Sequence, residues 1–246
     1  MSGHSKWATI KRKKGANDAA RGKLFAKLAR AVEVAARQGG GDPAGNATLA
    51  TAITKARAAA MPTDNIERAI KRGVGADDGA NYDEVWYEGY APGGIALYVQ
   101  ILTDNRNRAA SEVRAAFTRG GGNMGEPGSV GYLFDKKGYL SVTGEEDNVM
   151  LAALEGGAED VRASGAGFEV ITAPSDLTRV QQALESAGLT VESAELTQLP
   201  RSIIPLDAST AGRVLRLIEV LEDLDDVSAV YANYDIDDDL LAKLAE

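Results

Sequence analysis

At 246 residues, with 44% apolar side chains, the chain is long enough to bury a real core and to divide into two or three small domains. It has no cysteine and one histidine, which excludes a disulfide framework and thiolate chemistry and makes a Ser-His-Asp arrangement improbable. The formal charge of −9 hides a division: residues 1–75 hold 15 Lys and Arg against 5 Asp and Glu, a balance of +10, whereas residues 76–246 hold 12 against 31, a balance of −19.

Asymmetry of this kind marks a nucleic-acid-binding or membrane-binding segment joined to something else. No apolar run approaches the ~20 residues that span a bilayer, so no membrane partner is expected. Residues 1–22 form a basic arm containing His4, Lys6, Lys11, Arg12, Lys13, Lys14 and Arg21, with Trp7 and Ile10 its large apolar groups. That is too little to bury, so the arm is expected to stay extended until it meets a partner. It lacks the apolar h-region of a secretory signal. It imitates a transit peptide better, but its charges continue onto a patterned helix, and the expected location is the cytoplasm.

From Lys23, the residues Leu24, Leu28, Val32 and Ala35 recur at helical spacing, with Lys23, Lys27, Arg30 and Arg37 in an adjacent stripe. Gly39-Gly40-Gly41 ends that helix. A second helix follows Asp42-Pro43, with Leu49, Ile53, Ala56 and Ala60 on one face, and stops before Pro62. A third is short, with Asp64 as cap, Glu67 completing a capping box and Gly73 as C-cap glycine. Residues 23–75 thus read as a three-helix bundle.

After the linker 75–81, Val85–Tyr90 and Ile95–Leu102 read as strands joined by the turn Ala91-Pro92-Gly93-Gly94. Asn105 or Asn107 caps a helix carrying Ala110, Val113 and Phe117, closed by Gly120-Gly121-Gly122, and residues 130–134 suggest a further short strand. Residues 135–200 repeat the β-α-β-β-α-β order of a ferredoxin-like unit, with Leu177, Val180 and Leu184 inward on its second helix. Ser202–Leu206 reads as a strand, Ser209–Asp223 as a helix and Val227–Tyr234 as a closing strand. These elements lack a sheet of their own. They are expected to return to the 82–134 unit, which makes 82–134 plus 201–235 one domain and 135–200 an insertion. Residues 236–246 form an acidic tail. The fold class expected is therefore α+β: a helical bundle followed by two α+β domains, one inserted in the other.

No P-loop and no dinucleotide fingerprint is present, so no cofactor is expected. Asp235, Asp237, Asp239 and Glu246 match positions 1, 3, 5 and 12 of an EF-hand loop, but Leu240 stands where its glycine is required, so no metal is expected. What remains is electrostatic. The arm and first helix offer His4, Lys6, Trp7, Lys11, Arg12, Lys13, Lys14, Arg21, Lys23, Lys27 and Arg30 to phosphate or bases. Trp7 either stacks on an unpaired base or anchors the arm. The string Asn105-Arg106-Asn107-Arg108, between a strand and a helix, reads either as a second anion site or as a cap with surface arginines.

Gly3-His4-Ser5-Lys6-Trp7, Arg21-Gly22-Lys23, Tyr87-Glu88-Gly89-Tyr90, Leu102 to Arg108, Gly121-Gly122-Asn123 and Leu221 to Asp226 together resemble the motifs of the YebC family. The resemblance covers essentially the whole chain; Thr9, Arg12 and Ala20 depart from its usual Asn, His and Lys. It implies three domains, a helical bundle and two α+β domains with the ferredoxin-like one inserted in the other; that no catalysis is expected follows from the missing nucleophile, acid–base pair and cofactor motifs. Members are widely labelled transcriptional regulators that bind DNA, while others, including the mitochondrial translational activator of cytochrome oxidase subunit one, act on the ribosome and relieve stalling at proline-rich stretches. With neither an obvious helix-turn-helix nor an RNP aromatic string in the sequence, the mobile basic arm favours folded RNA. The expected partners are ribosomal RNA and the large ribosomal subunit, with DNA as the alternative.

Overall fold

A computed structural model describes residues 18–75, 82–165, 167–237 and 240. The fold is α+β, with N-terminal helices followed by two separate four-stranded sheets. Two compact units emerge, one within 1–27, 80–135 and 200–246, the other within 28–79 and 136–199.

In the first unit, β1 (Asp83–Ala91) and β2 (Ile95–Thr103) form an antiparallel hairpin. Its turn needs two left-handed glycines, Gly93 at φ 81° and Gly94 at φ 76°. After α4 (Arg106–Arg119) comes the two-residue β3 (Asn123–Met124), which pairs with β1. The chain leaves through the second unit and returns as β8 (Ile204–Pro205), α7 (Ala208–Glu222), β9 (Val227–Ala232) and β10 (Tyr234–Asp235). The strand β9 pairs antiparallel with β2, giving the order β3-β1-β2-β9. Residues 82–134 and the segment after 200 therefore share one sheet.

Alternation along β2 divides its side chains. Ile95, Leu97, Val99 and Ile101 enter the core with Val113 and Phe117 of α4 and Val214, Leu217, Ile218 and Leu221 of α7. Ala96 and Tyr98 face the other side, where Trp86 stacks on Tyr98 at 4.2 Å and Phe134 follows at 5.6 Å.

The second unit holds the ferredoxin-like layer: β4 (Phe134–Thr143), α5 (Glu146–Gly156), β5 (Asp160–Ser164), β6 (Gly167–Thr172), α6 (Leu177–Ser186) and β7 (Thr190–Pro200), with sheet order β5-β6-β4-β7. Leu177, Val180 and Leu184 are buried in its core beside Leu140 and Val142. The same unit contains most of α1 (Asp18–Gly39), with α2 (Ala47–Ala58) and α3 (Thr63–Val74). Lys55 on α2 pairs with Glu195 of β7 at 2.9 Å, and the Leu196 amide donates to the Thr51 hydroxyl at 3.2 Å.

Several local expectations are corrected. Pro62, not Asp64, occupies the α3 N-cap and makes no side-chain cap bond, because Asp64 lies inside the first turn. Gly73 is internal to α3, which ends at Val74; its glycine is required because α1 passes close by. A Cβ there would meet Ala36 Cβ at 2.7 Å and the Glu33 carbonyl oxygen closer still. Ala60 lies beyond α2 at φ 58°, exposed rather than on its apolar face. Leu24, placed on the buried stripe of α1, is 46% exposed. Residues 131–133 make a 3-10 turn that leads into β4, not a strand of their own. Of Ser202–Leu206 only Ile204 and Pro205 are in a strand. The closing strand breaks at Asn233, whose side chain accepts from the Ala96 amide at 2.8 Å.

Candidate nucleic-acid interface

The arm residues His4, Lys6, Trp7, Lys11, Arg12, Lys13 and Lys14 lie outside the described residues, as do Asp239 and Glu246 of the acidic tail. The cations of α1 that follow are described. Arg21 is exposed and sits over the Phe25 ring, 5.4 Å from its centroid. Lys23 pairs with Asp225 at 2.9 Å, and Lys27 donates from its ammonium to the Glu222 backbone carbonyl. Burial pushes the Lys27 ammonium down to about 8, with Lys23 adding to the fall, against the pull of Asp223, Asp225 and Glu222. The acids that compensate the start of this α1 stripe, Glu222, Asp223 and Asp225, lie at and just beyond the end of α7, some 200 residues along the chain. Arg30 is part-buried and engaged, and Arg37 pairs with Glu33 at 3.2 Å. Open positive charge in the bundle is carried instead by Arg57 and Lys71, both exposed, together with exposed Arg68, which bonds to Asn65 and the Asp64 carbonyl. The run of cations at 55, 57, 68, 71 and 72 was the available signal for these.

Asn105, Arg106, Asn107 and Arg108 are brought together at the start of α4, where three of them make interactions within the protein. The Asn105 side chain caps the helix by accepting from the Arg108 amide at 3.0 Å. Arg106 pairs with Asp83 at 2.7 Å. Arg108 reaches Asp104 at 2.8 Å and the buried carboxylate of Asp226 at 2.7 Å, and these hydrogen bonds hold both guanidinium groups more firmly protonated than usual. Thr103 donates to the same Asp226 oxygen at 2.8 Å. This geometry latches the α4 N-terminus to the start of β9.

Glu88, in the string Tyr87-Glu88-Gly89-Tyr90, has a related role. The residue is 8% exposed, and its carboxylate accepts backbone N–H groups from Gly128, Val130 and Gly131 at 2.7, 2.6 and 2.7 Å. Burial alone would raise its pKa; the three donors outweigh burial and hold it below the usual glutamate value. Glu88 thereby ties loop 125–133 to β1. Among the described residues no group of three or more His, Asp or Glu is placed to hold a metal ion, and no helix is long and apolar enough to cross a membrane.

Two family models match: one described as the TACO1/YebC protein N-terminal domain over residues 5–76, the other as the TACO1/YebC second and third domain over residues 82–234. The chain belongs to the YebC/TACO1 family. Curated relatives include proteins of Acidothermus cellulolyticus, 58% identical over 99% of this chain and 100% of the relative, and of Rubrobacter xylanophilus, 56% identical over 100% of both. Each is named "Probable transcriptional regulatory protein". Among solved structures, a conserved hypothetical protein from Aquifex aeolicus superposes with a TM-score of 0.78 at 48% identity, covering 90% of this chain and 93% of that one.

Proposed function

We propose that this chain is a non-enzymatic RNA-binding translation factor that acts on the large ribosomal subunit and eases synthesis through proline-rich stretches. The observation that carries this reading is the charge division, +10 over residues 1–75 against −19 over residues 76–246. A cationic segment gains affinity for polyphosphate by releasing condensed counterions, whereas the anionic remainder is repelled and turns toward solvent or protein. The contacts fall to His4, Lys6, Trp7, Lys11, Arg12, Lys13 and Lys14 of the arm, to Arg21, and to the open bundle cations Arg57, Arg68 and Lys71. Lys23 and Lys27 stand beside them with their ammonium groups already engaged within the fold. The effect on peptide-bond formation is one of positioning: ordering RNA lowers the entropic part of a barrier and calls for no acid or base.

A second reading, a DNA-binding transcriptional regulator, is favoured by the names the relatives carry. A reconstituted translation reaction separates the two. With a message encoding consecutive prolines, added protein is expected to shorten the pause at the run. No change in the pause, together with salt-resistant retention of one promoter fragment over random duplex, overturns the ribosome reading.

A further inference from the structure

Among the described residues of the first unit, one concentration of cations meets no carboxylate. Arg119, in the last turn of α4, and Arg213 and Arg216, on α7, line a surface cavity of about 450 Å³. Its remaining lining includes Gly121, Leu217 and Val220. That volume lies within the range of ordinary ligand clefts, roughly 300–1,000 Å³. All three arginines are exposed, and among the described residues none is within ion-pairing distance of an Asp or Glu. Elsewhere in the same unit the arginines Arg106, Arg108 and Arg201 are each held by a carboxylate at 2.7 Å. Among the described residues these three stay unneutralised, in a stretch of chain where acids outnumber bases 31 to 12.

Helix electrostatics explains Arg119, which complements the α4 C-terminus, but not the other two. Arg213 and Arg216 are mid-helix residues three apart, hence on one face of α7, where the dipole offers them nothing. Gly121, at φ 73°, keeps the rim low: a Cβ there would stand 3.3 Å from Arg213 Nη2. Guanidinium groups lining one concave surface repel one another until an oxyanion accepts from them, and their planar forks suit phosphate.

We infer that this cleft is a second phosphate-contact site, taking the phosphodiester backbone of the nucleic acid held by the basic N-terminal segment. The inference rests on the proposed polyanion binding and adds a contact from the otherwise acidic body. Filter binding of purified large-subunit ribosomal RNA, and of a random-sequence DNA duplex, tests it with three full-length proteins: wild type, R119Q/R213Q/R216Q, and the control K137Q/R162Q/R179Q, which removes equal charge elsewhere. The cleft variant is expected to bind about tenfold more weakly and to lower the slope of log affinity against log salt by about 2, as three lost phosphate contacts require. The control should change little, and thermal melts should match. Equal effects of the two triple variants, or none from the cleft triple, overturn the cleft while RNA binding stands. Cleft-dependent binding to the DNA duplex, with no binding to the RNA, keeps the cleft and overturns the ribosome reading. Wild type that binds neither polymer overturns both.

Discussion

Glu88 shows how a residue quoted as a family motif can be occupied with holding the fold. Three amide donors converge on one buried carboxylate, so Glu88→Gln removes an acceptor that two of them share, Val130 and Gly131. A hydrogen bond to a charged group is worth about 1.5–3 kcal/mol, and the substitution is expected to cost about that much in urea unfolding at pH 7. The sign with pH follows from the depressed folded pKa: this stabilisation is present above the unfolded glutamate value and fades as pH falls through the lower folded value. The difference between wild type and E88Q should therefore shrink in acid; a difference unchanged down to pH 2 would contradict the role given to the carboxylate. Lys27 works in the opposite sense. Its folded pKa of about 8 lies below the ordinary 10.5, so the unfolded chain binds the proton more tightly and wild-type stability gains as pH rises from about 8 to about 10.5. Lys27→Met should melt higher than wild type at pH 7, with the gap closing by pH 10.5. A variant less stable than wild type at pH 7 would show that the bond to the Glu222 carbonyl outweighs burial.

Secondary elements whose signals are local were legible from residue order. The β-α-β-β-α-β series forms as expected because turn residues and the 3.6-residue period of Leu177, Val180 and Leu184 are read within a dozen positions. What depends on a distant neighbour was not. The parallel pairing of β8 with β10 involves two residues from each strand, too few for a pattern. Gly73 reads as a cap because the approach of α1 leaves no trace near it in sequence. Ala in a helix interior is favoured over Gly by about 1 kcal/mol, yet overpacking costs typically 1–3 kcal/mol, and here the added Cβ meets backbone that cannot swing aside. Gly73→Ala is accordingly expected to lower the melting temperature. A rise would show that α1 and α3 separate without penalty.

Charge is the property of the entire chain from which the functional reading starts, and here too legibility was partial. The excess of cations over residues 1–75 is plain from composition, but which of them remain open is decided by folding. Asp225, just beyond α7, occupies Lys23 and the Glu222 backbone carbonyl at the α7 end occupies Lys27, whereas Arg119, Arg213 and Arg216, nearly a hundred residues apart in sequence, line one cavity only because α4 and α7 lie on one sheet face. The arm thus carries more of the expected affinity than its length suggests. The most direct check is sedimentation of large ribosomal subunits with wild-type protein and with K11A/R12A/K13A/K14A at about 0.1 M salt, where the Debye length is ~10 Å and phosphate contacts still count. Wild type should pellet with the subunits and the quadruple variant should stay in the supernatant. Equal pelleting of both, or of neither, would contradict the assignment of RNA binding to the N-terminal cations.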